Sequence, residues 1–266
     1  MQMKKFDLFV TSARQAITNK FTWLHICAAL TGQLIPPLLE STSTIKYISF
    51  LIWILSAILS VILVSGLVYS VSQKEIINAD ISILDGWLKG WSKVIQVYFL
   101  NISFFVILVV FFTIIGGLLN RFIPFGFFQT IALPLFVRPF AIFSICAIII
   151  NNGSIVAAAR TSVLMFVRNV LQTIAISGIF VVLQQVLLGI IILFIGMSPY
   201  RDTLLFSPNG NQLSYFKMLE IPQVIFYDQV LSLIMYPWIA VTFTHLYLRF
   251  INDSEYSVRS LSQEAA

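Results

Sequence analysis

A chain of 266 residues that is 59% hydrophobic and only 10% charged, with a mean hydropathy of +0.93, is too apolar for a soluble domain, where about a quarter of residues are charged. Its apolar runs are long and continuous, which excludes the short alternating strands of a membrane β-barrel. The net charge of +5 comes from Lys and Arg scattered over connections, the pattern of basic cytoplasmic loops and not of a nucleic-acid surface. The expected fold is an all-α polytopic membrane protein, one integral membrane domain over residues 1–266 with little room for a soluble one.

In chain order, residues 5–19 place Phe6, Phe9, Val10, Ala13 and Ile17 on one stripe and Asp7, Arg14 and Gln15 opposite, the spacing of a helix lying in the membrane interface. Spans follow over 21–40, 46–72, 94–119, 127–150, 170–197 and 223–249, each near the ~20 residues needed to cross ~30 Å of hydrocarbon. No small-residue cleavage site follows the first apolar run, so it reads as an uncleaved span and not a signal peptide. Pro36 and Pro37 should kink or stop that span. The connection "STSTI", 41–45, is short enough to force an antiparallel hairpin. Cys27 and Cys146 both fall in spans and read as buried, inert thiols, not as a disulfide.

With the N-terminus inside, eleven Lys and Arg fall on inner segments and four on outer ones (Lys46, Arg121, Arg201, Lys217). The positive-inside rule then puts both termini in the cytoplasm, with a cell (inner) membrane as the expected location.

Two inner connections carry helical patterns. "DISILDGWLKGWSKV" sets Leu84, Trp87, Leu88, Trp91 and Ile95 on one stripe, and paired tryptophans suit a membrane interface. "NNGSIVAAARTSVLMFVRN" offers Ser154 as a helix cap, then a small-residue helix carrying Arg160 and ending at Arg168. An offset of 75 lays Trp91 over Phe166 and Lys93 over Arg168, a weak internal repeat of span, inner helix, span. The glycine pair in "IIGGLLN", 114–120, reads as a close helix-packing point.

The run "VRPFAIFSICAIIINNGSIVAAARTSVLMFVRN", 137–169, and the ending "YPWIAVTFTHLYLRF", 236–250, with Pro237, Tyr247 and Arg249, resemble the membrane domain family associated with glycerophosphoryl diester phosphodiesterases and related bacterial membrane proteins. In such fusions the resemblance assigns catalysis to a separate soluble barrel domain of about 250 residues, for which this chain has no room. The chain also lacks HExxH, GxSxG and a glycine-rich phosphate loop. Catalysis is not expected, and no cofactor.

Few residues stand out chemically. Arg138 is a permanent cation in an apolar run, at a cost of at least ~2.5–3.5 kcal/mol near mid-span, and must find acceptors. Asp228 is the one acid inside a span, and Gln33, Gln184 and Gln185 are mid-span amides. Together they form either a packing device or a polar site for an anion or other substrate. Trp87, Trp91, Arg160 and Arg168 read as interfacial anchors. His25 and His245, the two histidines, either bond to neighbours or, at similar depth, ligate a b-type haem. No other metal site is expected. The leading functional expectation is a non-catalytic structural or accessory subunit, whose partners are membrane lipids and other membrane protein subunits. The alternative is a transporter or lipid-handling permease with a polar site around Arg138.

Overall fold

In a computed structural model the chain is described over residues 5–39, 43–119, 131–196 and 222–264, and no strand occurs among them. The helices are α1 (Lys5–Thr18), α2 (Lys20–Leu39), α3 (Ser43–Ile77), α4 (Ile83–Leu119), α5 (Leu133–Ile149), α6 (Ile155–Arg168), α7 (Val170–Gly196) and α8 (Pro222–Glu264). Among the described residues four stretches are long and apolar enough to cross a membrane: Tyr47–Ile77, Ile83–Ile115, Val170–Phe194 and Phe226–Asn252. Leu133–Ile149 is a shorter apolar helix. The described residues are thus all-α, with several apolar helices compatible with a multi-pass membrane protein. The start of the predicted 127–150 span lies outside the described residues, as do Arg121, Arg201 and Lys217 of the expected outer segments.

Two boundaries differ from the sequence pattern. The inner helix around 84–95 and the span drawn over 94–119 are one continuous helix, α4, because no proline or cap residue separates Lys93 from the apolar run that follows. The last helix likewise continues beyond Arg249 to Glu264. The α2 helix runs just past Pro36 and Pro37 and ends at Leu39.

The single domain expected from composition sorts into two compact units. The first takes described residues of 1–101, 140–170 and 236–266, the second those of 102–139 and 171–235. The first unit's core is Ile62, Leu67 and Val68 of α3, Ile142 to Ile149 of α5, and Ile239 to Tyr247 of α8. Phe143 anchors it, edge-on to Phe243 at 5.6 Å and 6.1 Å from the Tyr247 ring. The Tyr247 hydroxyl accepts from Asn151 at 2.8 Å. Between apolar helices in lipid such dispersion contacts and hydrogen bonds replace the hydrophobic drive.

Glycines bring α4 against its neighbours. A Cβ on Gly90 would strike the Ile62 carbonyl, and one on Gly86 would strike the Phe21 ring, which also fills the space above Gly66. These residues, four apart, are a small-xxx-small pair. Gly117, in the pair singled out from sequence, has open space around it; the close approach lies a long way down the helix. The Leu84, Leu88, Trp91 and Ile95 stripe is correspondingly exposed. On α1 the buried positions are Ser12 and Ala16, while Val10 and Ile17 of its apolar stripe are exposed. At these positions small or polar residues face protein while several large apolar ones face outward, as lipid permits, although Val97 and Leu100 further along α4 are buried. Cys27 is also exposed, whereas Cys146 is buried.

The connections before α4 and before α6 share a local design. Asn78 and Asn152 take positive φ, 53° and 50°, a region Asn enters more readily than most residues. The next residue's N–H returns to a carbonyl six positions back, Ala79 to Gln73 and Gly153 to Ala147. A serine then caps each following helix: Ser82 Oγ accepts from Asp85 N at 3.1 Å, and Ser154 Oγ accepts from Ala157 N at 3.3 Å. Buried small pairs follow at matching places, Gly86 with Gly90 and Ala158 with Ser162. The offset of 75 is therefore corrected to 74 in the turns and 72 in the helices. At the earlier alignment Trp91 is exposed and Phe166 buried, environments that do not correspond.

Candidate functional site: a polar chain among α5, α7 and α8

The second unit holds the cation in question. Arg138 is followed by Pro139, which sits inside α5 and supplies no backbone N–H to the helix. The Arg138 side chain is buried at 6% exposure and Gln184 on α7 at 2%. Arg138 Nη2 donates to Gln184 Oε1 and, at 3.2 Å, to Ser232 Oγ on α8. On its other side Gln184 Nε2 donates to Asp228 Oδ1 at 2.7 Å and to the Asp228 carbonyl at 3.3 Å. Gln185 Nε2 reaches the same carboxylate oxygen at 3.4 Å.

Helical spacing explains the arrangement. Asp228 and Ser232 are four apart on α8 and so share a face. Gln184 and Gln185 are adjacent on α7 and reach one carboxylate from neighbouring positions. The amide is the useful intermediary because it offers an acceptor to the guanidinium and a donor to the carboxylate. Cation, amide and carboxylate form a polarised series in which each bond strengthens the next.

Arg138, Gln184, Gln185 and Asp228 are thus brought together. Gln33 is not among them; it lies half-buried on α2, in the first unit. Ser232 is a member that composition hid, although its i, i+4 relation to Asp228 was readable.

The remaining candidates are dispersed. Trp91 is exposed and Trp87 half-buried on α4; Arg160 and Arg168 are exposed on α6. His25 is buried, its ring 5.8 Å from that of Tyr236. His245 Nε2–H donates to Gln15 Oε1 at 2.7 Å, since the Gln15 amide nitrogen is donating to Glu75 at 3.1 Å. The other ring nitrogen lies 3.8 Å from Glu75. Both His245 nitrogens therefore face protein groups, and a haem iron would have to displace one of them. Among the described residues no group of three His, Cys, Asp or Glu side chains is placed to hold a metal ion.

Compared with protein-family models, with curated proteins and with solved structures, the chain matches none.

Proposed function

We propose that this chain is a non-catalytic integral membrane protein that serves as a structural or accessory subunit, docking on another membrane component through α4. The observation that carries the reading is how little α4 is packed. Only 6% of its most apolar stretch is buried, against 39–56% in the other three long spans. Its outward face presents Phe99, Phe105, Phe111 and Ile114. Aromatic side chains bring large contact area at small entropic cost and suit a helix–helix interface. Six spans, an inner-membrane location and cytoplasmic termini belong to the same proposal, as does the likeness to the membrane domain associated with glycerophosphoryl diester phosphodiesterases.

The test places a photo-crosslinking amino acid at Phe105 or Phe111 in living cells. A discrete protein adduct at these positions, absent from a crosslinker at buried Phe180, supports docking. Lipid adducts alone, together with a chain that purifies free of protein in mild detergent, overturn it.

A second reading has its own support. The buried Arg138, Gln184, Gln185 and Asp228 series matches the intramembrane polarity of transporters, and the repeated inner connections match their internal repeats. In that reading the guanidinium receives an anionic group of a solute or lipid. Transport of such a solute into vesicles, lost on Arg138→Gln, favours this alternative over the subunit.

A further inference from the structure

The first unit contains a pocket that neither functional reading uses. Its volume is about 320 Å³, and its lining includes Asn19 and Lys20 at the start of α2, Ser70 and Lys74 of α3, and Asp80 and Ser82 before α4. That volume lies at the lower end of the range for small-ligand sites, about 300–1,000 Å³. The lining carries two lysines against one carboxylate, and that carboxylate is already engaged: Lys74 Nζ lies 3.0 Å from Asp80. Lys20 is exposed and its ammonium is available to a second oxygen ligand. The polar side chains around them are held in place. Asn19 donates to Ser70 Oγ at 3.1 Å while accepting from Phe21 N at 3.0 Å. Ser82 is fixed by Asp85 at 2.6 Å. Helices α2 and α4 begin at the pocket while α1 and α3 end beside it, so the helix ends largely offset one another and the two ammonium groups carry the attraction.

The location narrows the ligand. The pocket sits where α3 ends and α4 begins, on a connection counted as cytoplasmic by the distribution of Lys and Arg. Basic pockets between helices at that level receive the phosphate of anionic lipid headgroups.

We propose that this pocket binds a phosphate ester or phosphate anion between Lys20 and Lys74, as the headgroup of an anionic phospholipid or as a soluble phosphate. The site is independent of the subunit and permease readings, since none of its residues belongs to α4's outer face or to the Arg138 series.

The experiment uses the full chain, stripped of native lipid in detergent and titrated with phosphatidylglycerol, phosphatidylcholine or inorganic phosphate, with bound lipid counted by native mass spectrometry. Phosphatidylglycerol is expected to bind in preference to phosphatidylcholine. Lys20→Gln should weaken it about fivefold, the effect of one cation at an anionic lipid surface. Asp80→Asn removes the opposing charge and should strengthen binding. Arg168→Gln, a cation lost elsewhere on the exposed surface, should leave it unchanged. Displacement of the lipid by inorganic phosphate, with the same dependence on Lys20, identifies the ligand as soluble phosphate; resistance to displacement identifies the lipid. Binding that ignores Lys20, or that falls equally with Arg168→Gln, overturns the site, as does weakening by Asp80→Asn. Lys20 is exposed, so its replacement leaves the fold intact and a null result is decisive.

Discussion

Gln184 donates to the Asp228 carboxylate at 2.7 Å while its own oxygen accepts from Arg138, so one amide links a buried cation on α5 to an acid on α8. The arrangement explains how Arg138 is kept in an apolar run. Removing the amide leaves a guanidinium and a carboxylate each short of a partner, and a buried group stranded in this way costs about 1–3 kcal/mol, more when charged. Gln184→Leu is therefore expected to lower thermal stability in detergent more than Gln185→Leu, whose bond to Asp228 is longer at 3.4 Å. Equal melting temperatures for the two variants would rule this out.

The charged ends should be coupled. Asp228→Leu alone strands the series at its negative end, and Arg138→Leu alone strands it at the positive end. The double variant removes both demands, so its loss should be smaller than the sum of the single losses by about 0.5–3 kcal/mol. A double-mutant cycle by chemical unfolding measures this difference. Strict additivity would show that the residues do not interact.

Packing of α4 gives a prediction of opposite character on two faces of one turn. Gly90 has the Ile62 carbonyl where its side chain would be, so Gly90→Leu is expected to cost about 1–3 kcal/mol or to prevent folding. Leu88 is exposed, and Leu88→Ala should stay within about 0.5 kcal/mol. Size-exclusion profiles and melting curves of the two proteins separate the cases. Comparable behaviour would mean that α4 does not approach α3 at Gly90.

Topology can be read by cysteine labelling in a Cys27→Ser background, with Cys146 buried and unreactive. Gly210→Cys is expected to react with an impermeant maleimide from outside the cell. Leu84→Cys, exposed beside the inner connection, should react only after permeabilisation. Position 86 is unsuitable, because Phe21 occupies the space a side chain would need. Reversed labelling would invert the proposed orientation.

The N-terminal helix depends on Gln15, which serves His245 and Glu75 together. Gln15→Leu removes both bonds. A loss of about 1 kcal/mol in local stability corresponds to roughly fivefold faster amide exchange across 5–18. Unchanged exchange would place the hold on α1 elsewhere, at Trp238, whose indole donates to the Phe9 carbonyl at 3.3 Å.

How much of this was legible follows from the solvent. The all-helical character and several helix positions were readable because long apolar runs and punctuating polar residues survive in any environment, and Ser154 was readable as a cap for the same reason; the fusion of the 84–95 helix with the span after it was not. Gln184 was readable as a partner of Arg138, because few polar groups in spans compete for it, whereas Ser232 was not. The packing faces were not. In lipid large apolar side chains have no need to turn inward, so the Leu84–Ile95 stripe marks α4's outer side and Gly86 with Gly90 its inner side. The α1 stripe misleads similarly: Gln15, on its polar side, makes the long-range bonds. For the two helical connections, side-chain resemblance suggested an offset of 75, whereas their turns and caps align at 74 and 72. Backbone geometry at Asn78 and Asn152 and the two serine caps correct it.

The bonds from Trp238 to Phe9 and from His245 to Gln15 join residues 229 and 230 positions apart. On the ribosome the first helix is made long before its anchor exists. At about 5–20 residues per second, the interval before α8 emerges is roughly 10–45 s. Throughout that time α1 has neither of these two contacts, and its exposed Val10 and Ile17 leave the membrane surface as its resting place. Closure of the first unit is therefore timed by the end of synthesis, and a chain truncated before Tyr236 would leave its N-terminal helix without these anchors while the intervening spans are already inserted.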